Sequence, residues 1–224
     1  GLQAPIPHGM KALLQLLPLL LVACGERPVE VRVKDRQGVV RADIVRVDGK
    51  KDGSVRFFGA DGSLRTTGNY ENDSRQGNWT TVSPTGDTLS ILHFQHGRKD
   101  GTQAYWAPNG QLLRVERFSM GEADGPLYRF FSDGTPRQSA WYDQGVQNGP
   151  YMEWYKTDSL HATRINGDLE NGQRTGRWYW SYDNGLIRNQ GDYVNGGKVG
   201  TWLTWDRSGN LTGRSKFGSA SLLR

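Results

Sequence analysis

The sequence predicts an all-β fold: an elongated antiparallel meander of about seven tandem 24-residue β-hairpin repeats, forming an open single sheet or a solenoid-like ribbon. Three observations predict it. Glycine recurs at Gly53, Gly77, Gly101, Gly125, Gly149, Gly176 and Gly200, a step of 24 residues broken once by a step of 27. Two more columns keep that step. One is Gly49, Gly97, Gly121, Gly145, Gly172 and Gly196, with Asp73 in the remaining place; the other is Gly62, Gly86, Gly110, Gly134, Gly185 and Gly209, with Asp158 in the odd one. The runs between these columns are about seven residues long, a common strand length and too short for helical repeats.

Taken from the N-terminus, residues 1–9 precede Met10 and are expected to be an upstream extension of the reading frame. Residues 10–23 follow the pattern of a bacterial lipoprotein signal peptide: Lys11, an apolar run from Ala12 to Ala23, then Cys24. The run is too short to span a bilayer. Cys24 is therefore the expected lipidation site, and as the single cysteine it excludes an intramolecular disulfide. Gly25 stands where inner-membrane lipoproteins typically carry aspartate, which points to the outer membrane. Residues 24–40 are expected to be tether and entry strand, since Val29, Val31 and Val33 alternate with Glu30, Arg32 and Lys34, charges that guard an exposed sheet edge. Residues 41–212 are the repeat domain, and residues 213–224 are a polar tail anchored by Phe217.

Within a unit, glycine at fixed places indicates tight turns with positive φ. Asp61, Asn109, Asp133 and Asn184 precede the third column, and Asp48, Asn171 and Asn195 precede the first. Such pairs favour two-residue hairpin turns, so each unit contains two reversals. The longer step places a surplus of three residues around His161 to Ile165. Aromatic or apolar residues stand seven before the ladder glycine (Tyr70, Phe94, Phe118, Tyr142, Leu169, Tyr193), two after it (Val55, Trp79, Leu127, Tyr151, Trp178, Trp202) and five after it (Phe58, Val82, Trp106, Phe130, Trp154, Trp205). Stacked units turn these columns into cross-strand ladders. Gly68, Gly167 and Gly191, each two before a member of the first column, leave room for its side chain to cross bare backbone. Positions two and five have opposite parity, so an unbulged sheet is aromatic on both faces.

The pattern G-x-Y-x-N-G-x-x-x-G-x-W-x-x-x-x-x-N-G, cleanest from Gly167 to Gly185 and Gly191 to Gly209, resembles the membrane-occupation-and-recognition-nexus repeat in its bacterial variant form, a group that includes YwqK-type antitoxins. The resemblance covers roughly residues 41–212 and departs at Asp73, Asp158, Gln103 and in the first unit, where Arg46 and Val47 replace the aromatic. It implies a meander of hairpins serving as spacer or docking surface.

Charge is mild: the net value is +5, and beyond Lys11, the only charge in residues 1–23, the chain carries 27 basic against 23 acidic residues. A nucleic-acid partner is not expected. A basic column two before the ladder glycine (Lys51, Arg75, Lys99, Arg174, Lys198, interrupted by Ala123 and Gln147) is a candidate contact for lipid or lipopolysaccharide phosphates, or else a solvated row of loop charges. His93 and His96 fall on opposite faces of a predicted strand, so no metal site is expected. No Ser, His and Asp set, carboxylate pair or phosphate loop stands out, and the expectation is a non-enzyme without cofactor. Trp178, Trp180 and Tyr182 share a predicted face and form the candidate binding patch. These features suggest a lipid-anchored envelope scaffold with a protein partner, and leave two alternatives: an antitoxin or immunity protein, and a wall- or glycan-binding module.

Overall fold

The computed structural model describes residues 27–156 and 162–218. The expectations for residues 1–9 and 10–23 and for Cys24 lie outside the described residues. The chain forms β1 (Val29–Lys34), β2 (Val40–Val47), β3 (Lys50–Phe58), β4 (Leu64–Glu71), β5 (Ser74–Val82), β6 (Thr88–Gln95), β7 (Arg98–Lys99), β8 (Gly101–Trp106) and β9 (Leu112–Ser119). It continues through β10 (Glu122–Phe130), β11 (Pro136–Asp143), β12 (Val146–Gln147), β13 (Gly149–Trp154), β14 (Thr163–Glu170), β15 (Gln173–Ser181), β16 (Ile187–Val194), β17 (Gly197–Trp205) and β18 (Leu211–Phe217).

All eighteen belong to one sheet. Every pairing is antiparallel and, apart from β6 with β8 and β11 with β13, joins strands adjacent along the chain, so the sheet is an open meander with β1 and β18 at its edges. Asp100 separates β7 from β8 and Asn148 separates β12 from β13, and each such couple fills one place beside its neighbour. β1 and β2 repeat the hairpin pattern: Gly38, one 24-residue step before Gly62, closes their turn with φ 85°.

The two reversals differ. At the first glycine column both central residues have positive φ, as in Asn195 (48°) and Gly196 (77°), the geometry of a two-residue type I′ turn. At the third column the expected two-residue turn is replaced by a three-residue loop. Gly62 N–H donates to Gly59 O at 3.1 Å, Gly59 N–H donates to Ser63 O at 2.8 Å, and only the glycine has positive φ. The Asp or Asn before it acts through its side chain, Asp61 Oδ1 accepting from Ser63 N–H at 3.1 Å and Asn184 Oδ1 from Leu186 N–H at 3.1 Å. The ladder glycines lie inside strands, at bulges: Gly176, Arg177 and Trp178 together oppose Gly167 alone. Of the surplus expected around His161 to Ile165, His161 lies outside the described residues; Ala162 O accepts from Tyr155 N–H at 3.1 Å, and Thr163 and Ile165 pair with Trp154 and Glu153, with Arg164 bulged between them.

Register resolves the question of the two faces. Both the column seven before and the column two after the ladder glycine point to one face, here the front, as the pairs Trp79 with Leu92 and Gly77 with Phe94 show. The back carries a mixed row that runs Thr80, Ile91, Ala104, Val115, Tyr128, Ser139, Met152 from strand to strand. Position five closes each strand beside the three-residue loop, and Tyr128, Trp141 and Tyr179 face the back, so aromatic residues stand on both sides while the continuous aromatic columns share the front.

The front face holds two apolar clusters. One joins Ala42, Ile44, Val55, Trp79 and Phe94; the other joins Trp178, Tyr193 and Trp202, with Tyr151, Ile165, Leu169 and Trp180 packed against it. Edge-to-face contacts recur, Tyr70 with Trp79 at 5.1 Å and Tyr193 with Trp202 at 5.1 Å. The ring that crosses Gly68, Gly167 or Gly191 comes from the following strand: Trp79, Trp178 or Trp202. The C-terminal tail also begins later than expected, since β18 pairs with β17 through Phe217, which meets Trp202 at 5.9 Å.

Candidate functional site

The basic column and the aromatic columns occupy the same face. Lys51 Nζ lies 4.6 Å above the Tyr70 ring, Arg75 sits 4.9 Å from Trp79 and 5.1 Å from Phe94, and Lys99 lies 4.7 Å above Phe118. Arg174 sits 4.6 Å from Trp178 and 5.4 Å from Tyr193; Lys198 lies 4.2 Å from Trp202 and 5.3 Å from Phe217. The bulge explains the contact: it sets a base two residues before the ladder glycine beside the rings of its own and the next strand. Each such pair contributes ~0.5–1 kcal/mol at an exposed site.

None of these five bases forms an ion pair among the described residues. On the back, by contrast, Arg32 and Arg56 both bind Asp43, at 2.8 and 3.1 Å, and Arg177 binds Asp192 at 2.7 Å. The hydrogen bond from Arg32 holds the Asp43 carboxyl below the usual carboxylate range, and that from Arg177 does the same for Asp192. Successive units lie two strand spacings apart, roughly 10 Å. That is comparable with the Debye length of about 8 Å at physiological salt, so the unpaired front cations repel one another only weakly.

The predicted patch is divided. Trp178 is 1% exposed and is core, its Nε1 donating to Asp168 O at 3.1 Å. Tyr182 lies past the end of β15 in the loop, donates to Trp205 O at 3.0 Å and sits under Arg207 at 5.4 Å. Trp180 alone of the three lines a cavity. It is half-buried, 6.0 Å from Trp178 and 5.5 Å from Trp202. Where the patch was expected to use Trp178, that ring supports it from below.

Trp180 and two members of the basic column meet in a groove of about 440 Å³ across β15 to β18. Its walls are Trp180, Tyr193, Trp202 and Phe217; its cations are Arg174, Arg188 and Lys198; Asn189, Thr204 and Ser215 supply neutral polar groups. No carboxylate lines it. Arg174 Nη1 donates to Tyr193 Oη at 3.1 Å. The Trp202 indole N–H is buried without a partner among the described residues, whereas Trp79 and Trp178 donate to Asn69 O at 3.2 Å and Asp168 O at 3.1 Å.

Arg188 was not singled out from the sequence, although a signal exists. It is the extra residue of the bulge after the three-residue loop, and its column reads Arg41, Arg65, Arg137, Arg164 and Arg188, with Leu89 and Leu113 between. A neighbouring hollow of about 520 Å³ shares Trp180 and Arg188 and adds Phe131, Trp154, Tyr155 and Arg164. Nearby, burial pushes the Tyr151 phenol up to about 12, and its hydrogen bond to Glu153 acts in the same direction. His96 is in a type I′ turn with φ 48° rather than on the strand, and His93 Nδ1 bonds to Asp100 O at 2.8 Å. No protein-family model and no curated protein matches this chain.

Proposed function

We propose that this protein is a lipid-anchored bacterial envelope protein whose repeat sheet is a non-catalytic scaffold for a protein partner. The anchor is Cys24, lipidated after removal of residues 10–23, and the site of residence is the outer membrane. The observation that carries the reading is the basic column of the front face: Lys51, Arg75, Lys99, Arg174 and Lys198 rest on rings without acidic partners among the described residues, whereas Arg32, Arg56 and Arg177 on the back are neutralised by Asp43 and Asp192, and Arg114 and Arg164 on the front by Glu116 and Glu153. A base already held over a ring loses little side-chain freedom on docking, so an acidic partner surface gains attraction at a small entropic cost. The resemblance to membrane-occupation repeats points the same way.

Two measurements test it. Radiolabelled palmitate is expected in the wild-type chain, with Cys24→Ala released in soluble form; an unlabelled wild type removes the anchor. Crosslinking in envelope fractions is expected to capture a protein that the triple variant Lys51→Gln, Arg75→Gln, Lys99→Gln captures at least tenfold less. Equal capture removes the front face from the interaction.

A further inference from the structure

We propose that the groove across β15 to β18 is a binding site for an acidic sugar, a uronate or a sugar phosphate, with its anionic group on Arg174, Arg188 and Lys198 and its ring against Trp180 and Phe217. Arg174 and Lys198 belong to the basic column, whereas the protein-capture test changes only Lys51, Arg75 and Lys99, so the two readings fail separately.

Charge selects the ligand first. Three cations line one groove of about 440 Å³ with no carboxylate among the lining residues. Two of them are fixed from beneath, Arg174 over Trp178 and Tyr193 and Lys198 over Trp202 and Phe217, so their outward N–H groups are ordered before a ligand arrives. An anion placed above such a layer completes a ring, cation and anion stack, and charge-assisted hydrogen bonds of this kind are about twice as strong as neutral ones.

The remaining lining decides between a bare anion and a sugar. Phe217 is 40% exposed and Trp180 is half-buried, which leaves apolar surface that inorganic phosphate does not cover. The C–H face of a pyranose does cover it. Asn189, Thr204 and Ser215 both donate and accept, matching ring hydroxyls, and the volume falls within the roughly 300–1,000 Å³ of small-molecule sites. The unpaired N–H of Trp202 adds a buried donor that an oxygen-rich ligand satisfies if Lys198 shifts towards the anion.

The test uses the full chain and three probes: trigalacturonate, the neutral trisaccharide maltotriose, and inorganic phosphate. Trigalacturonate is expected to change tryptophan fluorescence saturably, with affinity falling as salt rises, while maltotriose and phosphate bind at least tenfold more weakly. Arg188→Gln and Lys198→Gln are each expected to weaken trigalacturonate tenfold or more, and Lys34→Gln on β1 to leave it unchanged. Circular dichroism confirms that Arg188→Gln, an exposed position, retains the sheet. Equal binding of phosphate or of maltotriose overturns the proposal, as does an Arg188→Gln variant that binds like wild type. Binding confined to phosphatidylglycerol vesicles, with none to trigalacturonate, overturns it as well.

Discussion

Trp202 lies across the bare backbone of Gly191: a Cβ built on that glycine stands 2.2 Å from both Cδ2 and Cε2 of the indole. The same relation holds between Gly68 and Trp79, at 2.4 Å, and between Gly167 and Trp178, at 2.3 Å. Because the rings are buried and packed edge-on by Tyr70 or Tyr193, they have little room to retreat. Gly191→Ala is expected to destabilise the C-terminal hairpins by about 3 kcal/mol, the upper part of the range for overpacking. Adding Trp202→Leu to it is expected to cost less than the sum of the two single changes, read as a positive coupling in a urea-denaturation cycle. Additive losses would mean that the indole and the glycine do not share the site.

Much of the fold was legible because hairpin chemistry is local. The 24-residue step, the strand lengths and most of the positive-φ positions are written in glycine, aspartate and asparagine. What was not legible depends on contacts between strands. Whether Asp61-Gly62 makes a two-residue or a three-residue loop depends on which pair closes it, and which residue bulges opposite position five, as Arg65 does opposite Phe58, is something that composition does not reveal. The owner of the ring above Gly167 was misassigned for the same reason. A sequence rule nevertheless exists: tryptophan occupies position two only where glycine stands eleven residues earlier, as with Gly68 and Trp79, Gly167 and Trp178, Gly191 and Trp202. In other units Ile44 precedes Val55, Leu92 precedes Gln103 and Ala140 precedes Tyr151. The groove was half legible. Trp180, Arg174 and Lys198 were named, but Arg188 enters only through the bulge that turns it towards them.

Gln103, the polar departure from the tryptophan column, is fully buried and performs the indole's polar task. Its Nε2 donates to His93 O at 3.0 Å, the counterpart of Trp79 Nε1 to Asn69 O, and its Oε1 accepts from His93 N–H at 3.1 Å. Gln103→Leu is expected to cost about 1–2 kcal/mol, because the part-buried His93 N–H loses its partner, while His93 O keeps the Asp100 N–H at 3.0 Å. Gln103→Trp is expected to be no better, since Leu92 stands where the tryptophan units carry glycine. Hydrogen exchange at the His93 amide is the measurement. Protection unchanged in Gln103→Leu would show that the amide draws nothing from the glutamine.

Met120, Gln144 and His96 occupy the first position of type I′ turns with φ of 49°, 46° and 48°. Left-handed backbone is costly for such residues and cheap for asparagine, which the equivalent turns carry at Asn171 and Asn195. Met120→Asn and Gln144→Asn are each expected to stabilise the protein by roughly 0.5–1 kcal/mol, creating Asn-Gly pairs with Gly121 and Gly145. Met120 is 51% exposed, so little packing is lost. Thermal unfolding of the single and double variants decides the matter: midpoints at or below wild type would show that the turn residues contribute nothing beyond local order.

Acid should unfold the protein from its back face. Asp43 is 5% exposed and accepts from Arg32 Nε at 2.8 Å and from Arg56 Nη2 at 3.1 Å. Its carboxyl is held low chiefly by the Arg32 hydrogen bond, against burial, which acts to raise it. Asp192, held low by Arg177, behaves alike. A carboxyl whose folded value lies below its unfolded value of about 3.9 stabilises the fold fully above that value and loses the contribution as pH falls through the folded one. Urea midpoints are therefore expected to change little from pH 7 to about 5 on account of these groups and to drop steeply below about 4. Asp43→Asn is expected to be less stable at pH 7, because Arg32 loses its ion-pair partner and Arg56 keeps only Glu30, at 2.9 Å, and to show a shallower decline below pH 4. If its decline matches that of wild type, the Arg32, Asp43 and Arg56 cluster does not control acid stability.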